Sequence, residues 1–231
     1  MPLQSAQDAA RAEQRIFAGL PHGRDGYLGQ FDRRLSIAIT RRLVRTRVTP
    51  NQITAASIAV GLAGAVLIAG VGYTTTLVGV FLAWLSSILD GCDGEVARLK
   101  RLASEAGRRF DLFGDFLVNF SVLASIAWHV HRTRPDSNLG ALGILMVSGV
   151  ALSAVTAGWV FLRKPGRKPD GLERAFQRLA SRDFIYVVIP LCALDRLDWF
   201  VYGAAVGSQL FWIALLVLVA SRRLAAGTAA K

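Results

Sequence analysis

Histidine and cysteine are scarce in this sequence, with three His and two Cys among 231 residues. Cys92 and Cys192 are far apart in the chain and lie in or beside apolar stretches. This spacing argues against a structural disulfide and against a thiolate metal site. The histidines are scattered, so neither a zinc site nor a catalytic triad is indicated. We therefore interpret Cys92 as a small apolar core residue.

The sequence also has too few polar residues for an ordinary soluble domain. Hydrophobic residues make up 53% of the chain, and the mean hydropathy is +0.41. Several windows approach the roughly 20 mainly apolar residues that cross a bilayer as a helix. These windows are apolar on every face, which excludes the alternating pattern of membrane strands. The six predicted spans are Asn51–Gly70, Thr74–Leu89, Phe116–Val130, Leu139–Leu162, Phe184–Phe200 and Val201–Ala220.

These windows predict an all-α, polytopic membrane bundle of six transmembrane helices. The second and third windows stop at charged residues, but both can continue as helices into the acidic sequence between them. Met1–Pro21 is polar and lacks the apolar core of a signal peptide, so none is expected. From Phe31 to Val48, apolar residues recur every four positions among arginines, which predicts an amphipathic helix on the cytoplasmic leaflet. The expected organisation is a cytoplasmic N-terminal segment (1–48), a six-helix domain (49–222) and a cytoplasmic tail (223–231).

Acidic residues are outnumbered, with 16 Asp and Glu against 27 Lys and Arg, which gives a net charge of +11. If the N-terminus is cytoplasmic, every Lys and Arg except Arg132, Arg134 and Arg196 falls in a cytoplasmic segment. This is the positive-inside distribution of membrane proteins. The basic charge therefore indicates topology and contact with anionic lipids, and no nucleic-acid partner is expected. We expect an integral protein of a bacterial or archaeal inner membrane.

The acids of interest are concentrated between Asp90 and Asp115, in DGCDGEVARLKRLASEAGRRFDLFGD. Asp90 and Asp93 end the second span, and Asp111 and Asp115 begin the third, each pair at helical spacing. Two antiparallel helices joined by a basic turn would bring the pairs together at the cytoplasmic boundary. Because uncompensated carboxylates are costly there, divalent cations are expected between them. All-oxygen ligands favour Mg²⁺, with Mn²⁺ or Ca²⁺ as substitutes.

Two further segments each allow two interpretations. Thr49-Pro50-Asn51 is either a simple cap of the first span or a helix start whose N–H groups help to hold a phosphate or nucleotide. The basic segment Arg163–Asp183 is either a solvated loop or the wall of a pocket for an anionic acceptor. Near the acids, Gly91 and Gly94 would let a ligand or a neighbouring helix approach the backbone.

The acidic stretch resembles the signature of the CDP-alcohol phosphotransferase family, D-x2-D-G-x2-A-R-x8-G-x3-D-x3-D. All eight fixed positions are filled in this sequence. The six-span layout and the Thr-Pro-Asn start of the first span resemble the family more broadly. The matching residues are Asp90, Asp93, Gly94, Ala97, Arg98, Gly107, Asp111 and Asp115.

The resemblance implies a membrane transferase that moves a phospho-alcohol group, a phosphatidyl group in the first instance, from a CDP-alcohol lipid to an acceptor hydroxyl and releases CMP. It implies two divalent cations, Mg²⁺ first and Mn²⁺ second, in a site that faces the cytoplasm. It also implies that Asp115 takes the proton of the acceptor hydroxyl, and that the protein is a homodimer. The implied metal ligands are Asp90, Asp93, Asp111 and Asp115, and the implied CDP-alcohol contacts are Thr49, Pro50, Asn51, Gln52, Asp90, Gly94, Ala97, Arg98, Ser104 and Gly107.

The acceptor is less well defined. The Arg24-Asp25-Gly26 entry, the Arg-rich surface helix and the sequence SSILDGCDG are similar to the branch that handles inositol phosphates. Glycerol phosphate, serine and other alcohols are the alternatives. The candidate residues for binding an acceptor phosphate are Arg108, Arg109, Arg163, Lys164, Lys168 and Arg182.

Two other protein classes place acids on facing helices. A magnesium-dependent prenyl-diphosphate enzyme gives no reason for the fixed glycine, alanine and arginine positions of the motif. A cation transporter would place its acids near the bilayer midplane, whereas these acids are predicted at the cytoplasmic end of the spans.

Overall fold

The computed structural model describes residues 27–135, 138–162 and 184–228, and the regular structure within these ranges is helical throughout. The all-α prediction is confirmed. Five helices are long and apolar enough to cross a bilayer, namely α2, α3, α4, α5 and α7. The seven helices of the described ranges are α1 (Tyr27–Leu43), α2 (Pro50–Ile68), α3 (Tyr73–Leu99), α4 (Glu105–Thr133), α5 (Leu139–Leu162), α6 (Ile185–Ala193) and α7 (Leu197–Thr228).

The second and third spans continue into the acidic sequence, as predicted. Helix α3 extends to Leu99, and α4 begins at Glu105. The start of α4 has a local cause. Ser104 lies just before the first turn of α4, and its Oγ accepts a hydrogen bond from the backbone N–H of Gly107 at 3.0 Å. A serine in this position satisfies an N–H group that has no partner within the helix.

The predicted boundary between the fifth and sixth spans, at Phe200 and Val201, is wrong. The chain turns at residues 194–196, and α7 then runs from Leu197 to Thr228, past the predicted end at Ala220. Asp195 has a φ of 53°, a left-handed conformation that Asp tolerates better than most residues. The charged residues Asp195 and Arg196 lie at this turn, although the window of the predicted fifth span continued past them. The predicted fifth span, Phe184–Phe200, lies within the described residues, but its helix α6 has nine residues and is not among the five helices of spanning length. The predicted loop of residues 163–183 lies outside the described residues.

The chain divides into two compact units. The first contains Met1–Ser57 and Ser87–Asp111, and the second contains Ile58–Ser86 and Leu112–Lys231. Helices α2, α3 and α4 each contribute residues to both units.

The first unit has a small apolar core between α1 and parts of α2 and α3. Ile53, Cys92 and Val96 are buried there, and Ile39 and Leu43 of α1 pack against them. Phe31, on the same predicted apolar face of α1, is 51% exposed. The most buried positions of α1 are polar, Ser36 and Thr40. Helix α1 therefore buries a mixed polar and apolar face rather than a purely apolar one.

The second unit has a much larger apolar core. Eighteen buried residues form one cluster, and α5 packs along α7. The backbones of α2 and α3 touch at Gly64 and Gly79. A Cβ atom on Gly79 would lie 2.6 Å from the carbonyl oxygen of Gly64, and one on Gly64 would lie 2.7 Å from that of Gly79. Only glycine allows this approach. Cys192 is buried in this unit, and both cysteines are free thiols, as the sequence predicts.

Candidate active site

Three of the four predicted metal ligands meet in the first unit. Asp90 and Asp93 lie one turn apart on α3, and Asp111 lies on α4. One carboxylate oxygen from each lies within 4.8 Å of the others. In an octahedral Mg²⁺ site adjacent ligands are about 3.0 Å apart and opposite ligands about 4.2 Å apart, so the three carboxylates would have to move inward to share one cation. The all-oxygen donor set also fits a hard divalent cation.

Asp115, the fourth predicted ligand, follows Asp111 by one turn of α4 and is partly buried. It belongs to the second unit. Its predicted roles as a metal ligand and as the base stay predictions.

Asp93 has a partner that the sequence motif does not contain. It is the most buried acid of the cluster, with 5% of its surface exposed. Its Oδ2 accepts a hydrogen bond from the hydroxyl of Thr54, one turn into α2. Sequence analysis missed Thr54. The available signal was a polar residue placed shortly after Thr-Pro-Asn in an otherwise apolar helix.

The start of α2 is a reciprocal capping box. The backbone N–H of Gln52 donates to Oγ1 of Thr49 at 3.4 Å, and the backbone N–H of Thr49 donates to Oε1 of Gln52 at 3.0 Å. Pro50 occupies the first helical position, where its missing N–H costs nothing. The side chains of Thr49 and Gln52 therefore cap α2, in agreement with the simple-cap interpretation of Thr-Pro-Asn. The Asn51 residue is exposed at the same helix end.

Glycine at position 107 leaves room for two polar side chains. A Cβ atom there would lie 3.1 Å from Oδ1 of Asn51 and 3.1 Å from Oγ of Ser104. Three residues that the family resemblance implies as nucleotide contacts therefore lie together. A second group lies on α3, where the Arg98 guanidinium covers Gly94: a Cβ on Gly94 would be 3.6 Å from Nη1. Ala97, beside Arg98, is partly buried.

Lys100 forms hydrogen bonds with the segment that precedes the capping box in the chain. Its Nζ donates to the carbonyl oxygens of Thr46 at 2.7 Å and Val48 at 2.8 Å. These contacts tie the end of α3 to the linker before Thr49. The sequence predicted Lys100 only as part of a basic turn, because nothing local indicates a partner more than fifty residues away.

Two of the predicted acceptor residues already have an acidic partner. Arg108 donates from Nε and Nη2 to both carboxylate oxygens of Glu105, at 3.0 and 2.6 Å, and Arg109 donates to Oε1 of Glu105 at 3.4 Å. All three side chains are more than half exposed, so these ion pairs are weak. The other candidates, Arg163, Lys164, Lys168 and Arg182, lie outside the described residues, as does the Arg24-Asp25-Gly26 entry.

Comparisons with known proteins identify relatives of this chain. A bifunctional IPC transferase and DIPP synthase of Archaeoglobus fulgidus is 28% identical over 96% of this chain and 45% of its own length. A protein of the same name from Aquifex aeolicus is 30% identical over 56% of this chain and 30% of its own length. Another from Thermococcus kodakarensis is 38% identical over 45% of this chain and 23% of its own length. The chain spans less than half the length of these curated relatives. The family model described as CDP-alcohol phosphatidyltransferase matches residues 47–220, which include the acid cluster and the capping box. The chain belongs to the CDP-alcohol phosphatidyltransferase family.

Proposed function

We propose that this protein transfers the phospho-alcohol group of a CDP-alcohol lipid, a phosphatidyl group in the first instance, to an acceptor hydroxyl and releases CMP. The observation that carries the proposal is the meeting of Asp90, Asp93 and Asp111 within 4.8 Å, at fixed positions of the family signature. Residues 49–222 would form the catalytic domain. The reaction belongs to the synthesis of phospholipids or related polar lipids.

Asp90, Asp93, Asp111 and Asp115 would hold two divalent cations, with Mg²⁺ first and Mn²⁺ as the alternative. The all-oxygen donor set of the first three supports this assignment. When bound, such cations neutralise the pyrophosphate of the donor and stabilise the charge that develops on the departing CMP.

The remaining motif residues would bind the CDP group and carry the proton. The Arg98 guanidinium would donate hydrogen bonds to a phosphate of the CDP-alcohol. Gly94 and Ala97, which have little or no side chain, would leave room for the CDP group beside it. Thr49–Gln52, Ser104 and Gly107 would line the nucleotide at the starts of α2 and α4. Asp115 would accept the hydroxyl proton as the acceptor oxygen attacks the phosphorus that bears the alcohol. The bond from that phosphorus to the bridging oxygen breaks, and CMP leaves without a covalent enzyme intermediate.

We propose an inositol phosphate as the acceptor. The support is that the relatives from A. fulgidus, A. aeolicus and T. kodakarensis share a name from the inositol-phosphate-handling branch. Glycerol phosphate, serine and other alcohols are the alternatives. Basic side chains would neutralise the acceptor phosphate, and the candidates are Arg108, Arg109, Arg163, Lys164, Lys168 and Arg182.

The positive-inside distribution supports a site on the cytoplasmic side of a bacterial or archaeal membrane. The lipid tail of the donor would then stay in the bilayer while the nucleotide is exposed to water. A homodimer is proposed from the family resemblance alone.

The test is CMP release by the purified full chain in nanodiscs, with a CDP-lipid, Mg²⁺ and one radiolabelled acceptor at a time. Release that depends on inositol phosphate supports the proposal, and release with glycerol phosphate or serine instead replaces the acceptor. Turnover of an allylic diphosphate without CMP release would favour a prenyl-diphosphate enzyme. Metal flux in proteoliposomes without CMP release would favour a transporter.

A further inference from the structure

Two buried acids on α3 each accept a hydrogen bond from a hydroxyl group of another helix. Thr54 of α2 donates to Oδ2 of Asp93. Ser36 of α1 donates to Oε1 of Glu95 at 2.8 Å. All four residues belong to the first unit, and each has 5% or less of its surface exposed. The two pairs share their chemistry and burial, but only Asp93 belongs to the acid cluster.

The Thr54 contact restricts how the Asp93 carboxylate can turn. A hydrogen bond to one carboxylate oxygen favours some orientations of the group over others, and so influences the positions of both oxygens. In metal sites, partners of this kind orient the ligands, and their loss typically costs 10- to 100-fold in metal affinity. Loss of this donor would remove one restraint on the orientation of the Asp93 carboxylate toward the oxygens of Asp90 and Asp111.

The surroundings of Thr54 fit such a role. Its Oγ1 also lies 3.2 Å from the carbonyl oxygen of Pro50, one turn earlier in α2. A hydroxyl has one proton, and β-branching leaves threonine few side-chain conformations in a helix. The two oxygens compete for this proton, and the hydrogen bond to Asp93 links its carboxylate to α2 one turn after the Thr49–Gln52 capping box.

We propose that Thr54 is a positioning residue that holds the Asp93 carboxylate in the orientation needed to bind a divalent cation. The inference rests on the proposed function, in which Asp93 is a metal ligand. Ser36 and Glu95 provide the internal comparison, because they form a hydroxyl–carboxylate pair of equal burial two residues further along α3.

The experiment measures binding of Mn²⁺ alone to the full chain in detergent, by electron paramagnetic resonance. The variants are Thr54→Val, which keeps the shape but removes the hydroxyl, Thr54→Ser, which keeps the hydroxyl, and Ser36→Ala. We expect Thr54→Val to weaken Mn²⁺ binding by about 10- to 100-fold. Thr54→Ser and Ser36→Ala should stay within about three-fold of the unaltered protein, a change of less than about 0.7 kcal/mol. Thermal unfolding of each variant records the loss of stability separately.

The inference is overturned if Thr54→Val binds Mn²⁺ as the unaltered protein does. It is also overturned if Ser36→Ala weakens binding as much as Thr54→Val, because the effect would then be a general loss of packing in the first unit. If Thr54→Val does not fold, Thr54→Ala removes the same hydroxyl and takes its place. Failure of the unaltered protein to bind Mn²⁺ overturns the proposed metal site itself, whereas tight binding that is insensitive to Thr54 overturns only this inference.

Discussion

Among the described residues, the two units bury polar and apolar side chains in different proportions, although each unit buries both. The first has an apolar cluster of three buried residues, Ile53, Cys92 and Val96. The second has an apolar cluster of eighteen. Burying a polar group costs free energy unless it is hydrogen-bonded, and the buried acids Asp93 and Glu95 each accept a hydrogen bond from a hydroxyl group. Of the two pairs, only Asp93 and its donor Thr54 belong to the proposed site. The buried polar and charged residues of the first unit are Ser36, Thr40, Thr54, Ser57, Asp93 and Glu95.

The glycines differ in the same way. Gly107, in the first unit, leaves space that the side chains of Asn51 and Ser104 approach. Gly64 and Gly79, in the second unit, leave space for backbone atoms. Side chains can shift at small cost, and helix backbones cannot. The comparison predicts that substitutions at the proposed site residues of the first unit alter binding and turnover, whereas substitutions in the apolar core of the second unit mainly alter stability.

The strongest test of this division is Asp115→Asn, because Asp115 belongs to the second unit and yet is proposed as the base. We expect turnover to fall by about 10²- to 10⁴-fold, the usual contribution of general base catalysis, with CMP affinity retained. CMP release and CMP titration measure the two quantities. The matched control is Asp198→Asn, a buried acid that Arg134 contacts at 2.6 Å. The control should lose thermal stability but keep the turnover of its folded fraction. Near-normal turnover of Asp115→Asn would remove Asp115 from the base role.

The next largest effect is expected when alanine substitutions at Gly79 and at Gly107 are compared. In Gly79→Ala, the new Cβ would lie 2.6 Å from a backbone oxygen. Overpacking of this kind costs about 1–3 kcal/mol of unfolding free energy. In Gly107→Ala, the nearest atoms are side-chain oxygens at 3.1 Å. We expect this variant to lose little stability but to bind CMP more weakly. Denaturant unfolding and CMP titration of both variants check the comparison, and the reverse pattern would contradict it.

Arg98→Ala should raise the dissociation constant for CMP by about tenfold, because a charge-assisted hydrogen bond to phosphate is lost. Stability should change little, since Arg98 is exposed on α3. Calorimetric titration with CMP measures the effect. Arg101→Ala, an exposed arginine just beyond the end of α3, is the control and should bind CMP normally. Equal affinities for the two variants would exclude Arg98 as a phosphate contact.

The smallest effect is expected for Glu105→Gln. This change removes the acid that Arg108 and Arg109 contact, so both guanidinium groups become available to an anionic acceptor. We expect the KM for inositol phosphate to fall by about two- to three-fold at low salt, with less effect at high salt. The KM for the CDP-lipid should not change, which serves as the control. An unchanged acceptor KM across the salt range would argue against acceptor binding by these two arginines.

Much of the fold could be predicted from local sequence. Apolar windows of spanning length predicted the positions of α2, α3, α4 and α5, since hydropathy and helical periodicity depend on neighbouring residues. The error at the last two spans has the same origin. The apolar residues around Phe200 continue the hydropathy of α7, and the turn at Asp195 depends on one backbone conformation that hydropathy does not register.

Some contacts of the candidate site could be predicted from local sequence, and others could not. Spacing alone predicted that Asp90, Asp93 and Asp111 could meet, because three- and four-residue steps place side chains on one face of a helix. Spacing could not predict the hydrogen bond from Thr54 to Asp93 or the one from Ser36 to Glu95. It also could not predict that Lys100 donates to the carbonyl oxygens of Thr46 and Val48. These pairs are 39, 59 and 52 to 54 residues apart in the chain. The sequence by itself determined which helices form and which of their faces carry acids. Only the tertiary structure decided which hydroxyl or ammonium group approaches each acid or carbonyl, because that choice depends on the packing of whole helices.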